Sequence, residues 1–117
     1  MGVKKINIGI NGLGRIGRAI FRINLNKNVF NVVAINDINP SIENLSYMLK
    51  YDSTYGSLNS EINYDKNSLL IEDKDPIKVY NYELISEVPW DEHNVDVIID
   101  ASGVNENLLH KDKLKKL

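Results

Sequence analysis

The stretch Ile6–Gly17, Ile-Asn-Ile-Gly-Ile-Asn-Gly-Leu-Gly-Arg-Ile-Gly, constrains this chain more than any other. Ile6, Ile8 and Ile10 are β-branched and alternate with small or polar residues, which predicts a strand. Gly12, Gly14 and Gly17 then take the spacing G-x-G-x-x-G. Ile16, Ala19, Ile20 and Ile23 follow at i, i+3, i+4 and i+7, predicting a helix whose apolar stripe packs on a sheet. In a strand–turn–helix of this type the first glycine makes the tight turn, the second admits a pyrophosphate close to the backbone, and the third lets helix and strand approach. The start of the helix offers free N–H groups and the positive end of its dipole, so an anion needs no cationic side chain there.

Glycine triplets also occur in ordinary turns, and the residues that follow narrow the reading. Val32–Ile35 reads as a short buried strand ending in Asn36-Asp37, and Asp37 lies 20 residues after Gly17. A dinucleotide fingerprint has a carboxylate there to accept the adenosine ribose hydroxyls. A 2′-phosphate facing Asp37 would be repelled, which favours NAD over NADP. Arg15, Arg18 and Arg22 recur at i, i+3 and i+7 and read as the solvated face of the helix.

Composition limits the function classes. A chain of 117 residues suffices for one core but not two. Its formal net charge of −2 gives no pull toward nucleic acid or membrane. It contains no cysteine, hence no disulfide, no thiolate metal site and no thiol nucleophile. The run after Lys4 and Lys5 is broken by Asn7, Asn11 and Arg15, so it does not read as a signal peptide, and no apolar run reaches membrane-spanning length. A soluble cytoplasmic protein is expected. His93 and His110 have no ligand-spaced partners and read as surface histidines, so no metal site is expected.

Further along, Asn39-Pro40 can open a second helix, Asn as cap and Pro in the first turn. Ile42, Leu45, Met48 and Leu49 line one of its faces. Tyr51-Asp52-Ser53-Thr54-Tyr55-Gly56 then reads as a polar turn flanked by tyrosines. Glu61–Tyr64, Leu69–Ile71 and Ile77–Tyr80 are short strands separated by turn residues, a small antiparallel excursion between helix and sheet. Trp90, in the polar connection Ser86–Glu92, reads as a packing anchor. Asp96–Asp100 has the continuous apolar middle of a parallel strand covered on both faces, and the small turn Ala101-Ser102-Gly103 after it should face the glycine loop. Asn105–Leu117 is helix-like, with lysines near its negative end. The expected fold is an α/β, Rossmann-type doubly wound parallel sheet, incomplete, with a small antiparallel insertion.

These motifs together resemble the coenzyme domain of the glyceraldehyde-3-phosphate dehydrogenase family. Ile10–Arg18 is similar to that family's opening signature, Ala34-Ile35-Asn36-Asp37 to its second strand and ribose-binding acid, and Lys50–Gly56 to its Tyr-Asp-Ser turn; Asp75-Pro76-Ile77, Trp90 and Ser102-Gly103-Val104 follow in the same order. The resemblance implies that Gly12, Gly14 and Gly17 form the loop, that Arg15 and Ile16 bind the pyrophosphate through their backbone, and that Asp37 binds the ribose. It also implies that Asn11 and Asn36 shape the adenine side and that Ser102 and Gly103 line the cleft. The chain departs from the family in two places. Tyr82-Glu83-Leu84 stands where an arginine or lysine is usual, and Asn105 stands where an aromatic residue is common.

The family's reaction, an NAD-dependent phosphorylating oxidation of an aldehyde in glycolysis, uses a cysteine from a Ser-Cys-Thr-Thr-Asn segment that this sequence lacks. The chain is therefore expected to be one partial dinucleotide-binding domain over 1–117 with no catalytic domain, and not to be catalytic alone. It would serve as the NAD-binding portion of such an enzyme, with erythrose-4-phosphate dehydrogenase a close relative of the same half. The alternative is a stand-alone nucleotide-binding module, or one that associates with itself or with an intact dehydrogenase subunit through an unfinished sheet edge.

Overall fold

A computed structural model describes residues 5–52, 56–57, 61–72 and 74–102. The turn Ser53–Tyr55, Gly103, His110 and the helix expected over Asn105–Leu117 lie outside them. The chain runs β1 (Ile6–Asn11), α1 (Arg15–Lys27), β2 (Phe30–Asn36), α2 (Ile42–Lys50), β3 (Tyr51–Asp52), β4 (Gly56–Ser57), β5 (Ile62–Tyr64), β6 (Ser68–Ile71), β7 (Ile77–Tyr80), two 3₁₀ turns (Ile85–Glu87 and Trp90–His93) and β8 (Val97–Asp100). Six strands form one sheet in the order β5-β6-β7-β2-β1-β8, and β3 pairs with β4 apart from it.

The β7-β2-β1-β8 core is parallel, with Ile10 opposite both Ile35 and Ile99, and Asn36 opposite Tyr80. The antiparallel excursion expected between helix and sheet is instead the margin of the sheet. β5 and β6 pair antiparallel, β6 pairs antiparallel with β7, and β7 lies parallel to β2. Short apolar strands cannot reveal their partners in sequence, because the same alternation serves either direction. Val97–Asp100 pairs with β1, yet among the described residues it is an edge strand with Val97 exposed, rather than a strand covered on both faces.

Period-two alternation separates two cores. Ile8, Ile10 and Ile35 face the helices and meet Leu13, Phe21, Leu45 and Leu49. Ala34 faces the other way, toward Ile85, Val88 and Trp90. Trp90 is fully buried and its indole N–H donates to the Ile85 carbonyl at 2.9 Å, so its reading as a packing anchor holds. Gly9, between Ile8 and Ile10, is where the indole meets β1; a Cβ there would strike Cζ3 and Cε3 of the ring.

The packing face of α1 differs from the expected stripe. Ile16 and Ile23 are 65% and 58% exposed, whereas Gly17, Phe21 and Asn24 are buried. The inward face is thus the i, i+4, i+7 set beginning at Gly17, about one residue round from the isoleucines. Gly17 carries no apolar surface to announce it, and Asn24 is polar because it organises the turn into β2. Its amide N–H donates to the Phe30 carbonyl at 2.8 Å, and its oxygen accepts from Val29 N and Phe30 N at 3.0 and 2.9 Å. Asn28 closes the helix in the left-handed region at φ 52°.

The three arginines do not share a solvated face. Arg22 is buried and donates to the Leu49 carbonyl at 2.6 Å, at the negative end of α2. Arg18 is half-buried and donates to the Leu13 carbonyl at 3.0 Å. Only Arg15 is exposed as expected. In α2, Leu45 and Leu49 are buried with Ile42 and Met48 packed beside them, as their spacing predicts. Its cap is Ser41, whose hydroxyl accepts from Asn44 N at 3.1 Å, rather than Asn39. Asn39 instead accepts from Ser41 N at 3.0 Å, one step before the helix.

Candidate functional site

The carboxyl ends of β7, β2, β1 and β8 converge on the glycine loop, the position where open parallel sheets hold ligands. Gly12 turns the chain out of β1 at φ +99°, a conformation that L side chains rarely adopt. A Cβ there would also come within 2.7 Å of Ser102 Cα. The loop after β1 and the turn after β8 are therefore in backbone contact, as their small residues predict. Gly17 packs against the Gly12 carbonyl oxygen, which a Cβ would strike. Gly14 is exposed, and a Cβ built on it would meet nothing within 4 Å.

Gly14 is also the N-cap of α1 and brings no side-chain hydrogen bond to the first turn, which contains no acidic residue. The first-turn amides of Arg15, Ile16 and Gly17 are consequently left to an external acceptor.

Asp37 joins this loop to the end of β2. Its Oδ2 accepts from Leu13 N at 2.7 Å and its Oδ1 from Asn39 N at 2.9 Å. Both oxygens are thereby aimed, and each keeps acceptor capacity for a hydroxyl. The backbone N–H of Asp37 donates to the Tyr80 carbonyl at 3.0 Å, extending the ladder toward β7.

Asn11 and Asn36, buried at the ends of β1 and β2, form a lateral relay under the cleft. Asn36 Nδ2 donates to Asn11 Oδ1 at 2.7 Å and to the Tyr82 carbonyl at 3.0 Å, while Asn36 Oδ1 accepts from Tyr82 N at 2.9 Å. Asn11 Nδ2 donates to Asp100 Oδ1 at 3.1 Å. That oxygen also receives Ser102 N at 3.1 Å and the Ser102 hydroxyl at 2.6 Å. Four strand ends are thus tied by one chain of hydrogen bonds, from Tyr82 beyond β7 to Ser102 beyond β8. The side-chain amides of Asn11 and Asn36 are thus engaged with the protein itself.

The structure brings together Asn11, Gly12, Gly14, Arg15, Ile16, Gly17, Asn36, Asp37 and Ser102 at this end of the sheet; Gly103 lies outside the described residues. Asp100 and the Tyr82 backbone belong to the same floor and were not expected in it. Asp100-Ala101-Ser102 carries a local signal, an Asp able to hydrogen-bond two residues on. The clamp on Tyr82 spans the sheet and has none.

His93 is not an isolated surface group. It is half-buried, and its Nε2 lies 2.7 Å from the Tyr80 hydroxyl, the hydrogen-bond direction depending on the tautomer. Burial, then the charge of Glu92, pushes the Tyr80 hydroxyl above its ordinary value of 10.0. The folded phenol holds its proton more tightly than the unfolded one, so its contribution to stability is present below pH 10 and declines as pH rises beyond it. Tyr80→Phe should flatten that alkaline decline, measured as urea stability against pH.

Elsewhere, a recess of about 790 Å³ opens near the amino ends of the strands, lined in part by Asn7, Asn24, Asn31 and Lys74, and shares no residue with the glycine loop. Among the described residues no group of three His, Cys, Asp or Glu could hold a metal ion. No described helix is long and apolar enough to cross a membrane.

Residues 6–108 match the family profile described as glyceraldehyde 3-phosphate dehydrogenase, NAD binding domain. Relatives include a glyceraldehyde-3-phosphate dehydrogenase of Eremothecium gossypii, 41% identical over 88% of this chain and 31% of the relative. Glyceraldehyde-3-phosphate dehydrogenase 1 of Bacillus cereus is 42% identical over 82% of this chain and 28% of its own length. A glyceraldehyde-3-phosphate dehydrogenase of Wickerhamomyces ciferrii is 42% identical over 88% and 30%. The chain spans less than a third of the length of these relatives.

Proposed function

The chain belongs to the glyceraldehyde 3-phosphate dehydrogenase family through its NAD-binding domain, and from that premise we propose that it holds NAD across the strand ends as the cofactor-binding part of an NAD-dependent phosphorylating aldehyde oxidation. The observation that carries the reading is the pairing of an uncapped, acid-free helix start at Gly14 with the aimed carboxylate of Asp37. One end suits a pyrophosphate and the other a ribose diol.

In this reading the amides of Arg15 and Ile16 donate to the pyrophosphate oxygens, and the exposed Arg15 side chain adds positive charge nearby. Asp37 accepts the adenosine 2′- and 3′-hydroxyls. Ser102 borders the path toward the nicotinamide, and Asn11 and Asn36 keep the floor rigid. Bound NAD supplies a hydride acceptor. The acyl-transfer half of the family's reaction calls for a thiolate, and none of the 117 residues is cysteine. The part of this chain is therefore to bind and orient the dinucleotide. The reading carries with it a cytoplasmic location and a role in glycolysis.

NAD at a hundred times its Kd should stabilise the fold by about 2.7 kcal/mol, read as a rise in melting temperature; no shift at saturation overturns the proposal. Asp37→Asn keeps the side-chain volume and one acceptor oxygen while removing the charge. It should weaken NAD by about 1.5–3 kcal/mol and narrow the preference over NADP, measured by titration calorimetry with both dinucleotides. Unchanged affinities would remove Asp37 from the ribose site.

A further inference from the structure

We propose that the Tyr82 ring is the wall on which the adenine of the bound dinucleotide stacks; this rests on the NAD reading above and names the residue that recognises the base. Tyr82 lies two residues past the end of β7, where loop residues are ordinarily loosely held. Here the Asn36 amide clamps its backbone from both sides, accepting from its N–H at 2.9 Å and donating to its carbonyl at 3.0 Å. Asn36 directly precedes Asp37, so the clamp holds Tyr82 at the strand end beside the ribose acid.

The ring is supported on one side and open on the other. Tyr80 backs it with centroids 5.9 Å apart and planes inclined by 28°, an offset stack. Tyr80 is itself held by its 2.7 Å hydrogen bond with His93. The Tyr82 side chain nevertheless remains 42% exposed. An aromatic ring fixed by its backbone, backed by a second anchored ring and left open toward solvent is a platform for another flat group. The purine attached to a ribose held by Asp37 is the flat group the site would receive. Stacking on an aromatic face needs no cation, and Tyr82-Glu83-Leu84 supplies none.

The test is titration of the full chain with ADP-ribose and with its 1,N6-etheno derivative, whose base fluorescence responds to ring stacking. Tyr82→Ala should weaken ADP-ribose about tenfold or more, and Tyr82→Phe should bind as the native chain does. Etheno fluorescence should be quenched on binding to the native chain and to Tyr82→Phe, and not on binding to Tyr82→Ala. Tyr82→Leu keeps apolar bulk without a π face; it should show the same loss, and it decides the matter if the alanine variant does not fold. Equal affinity in the alanine or leucine variant, or quenching that survives loss of the ring, overturns the stacking role and leaves the NAD reading standing. No binding of ADP-ribose or NAD to the native chain overturns both.

Discussion

Trp90→Ala should bring the chain to the edge of unfolding at room temperature. The ring is fully buried and fills the layer opposite the helices, packed with Ala34, Ile85 and Val88 and lying against Gly9 of the central strand. Truncating a buried Trp costs about 3–5 kcal/mol through lost burial and the cavity left behind. The Ile85 carbonyl also loses the indole donor while keeping Val88 N at 3.3 Å, and a lost hydrogen bond of this kind adds about 0.5–1.5 kcal/mol. Against a typical total of about 5–15 kcal/mol this is a large fraction of the stability. Urea unfolding should show a midpoint near zero denaturant, or a melting temperature lower by roughly 15 °C or more. A loss under about 1 kcal/mol would mean that the second core does not hold the sheet together.

Alanine at Gly17 and at Gly14 should differ sharply in their cost to folding and share the same consequence for binding. At Gly17 the new methyl strikes the Gly12 carbonyl oxygen, a backbone atom that cannot swing aside. Overpacking of this kind costs about 3 kcal/mol or more, and it displaces the loop that would hold the pyrophosphate. Gly17→Ala should therefore lose both stability and NAD binding. At Gly14 the methyl meets nothing, and the backbone sits at φ −73°, which alanine adopts without strain. As Gly14 is the N-cap, where alanine is poorer than glycine, stability should fall by no more than about 1 kcal/mol. If the pyrophosphate is held as proposed, the methyl would stand in its approach to the first-turn amides. Loss of two charge-assisted hydrogen bonds, about 3 kcal/mol, corresponds to roughly a hundredfold in Kd. Paired melting curves and NAD titrations measure both effects. A Gly14→Ala chain that binds NAD normally would show that the pyrophosphate does not approach at this glycine.

The glycine loop, both helices and the strands β1, β2 and β8 were legible because each is written locally, whereas the parallel pairing of β7 with β2 was not. Alternating isoleucines mark β1, Gly12 is required by the turn itself, and Leu45 and Leu49 fall on one face of α2. Asp37 was legible by its distance from the loop. The inward face of α1 was not, because helical periodicity is scored on apolar residues while the contact is made by a glycine, a phenylalanine and an asparagine. Arg22 was misread as solvated for a related reason. Its burial depends on the Leu49 carbonyl, 27 positions away, being aimed at it.

What the sequence by itself determined was the order of the main strands and helices, the glycine turn into α1, the place of Asp37 at the end of β2 and the absence of a thiol. These follow from local conformational preference and from which atoms a side chain possesses. Only the tertiary structure decided that β5 and β6 extend the main sheet, that Gly9 lies under Trp90, and that Asp100, Asn11, Asn36 and Tyr82 form one floor beneath the cleft. Each of these joins residues far apart in the chain. A hydrogen bond or a steric contact acts over a few ångströms, and which distant groups come within that range is set by strand register, not by the residues alone.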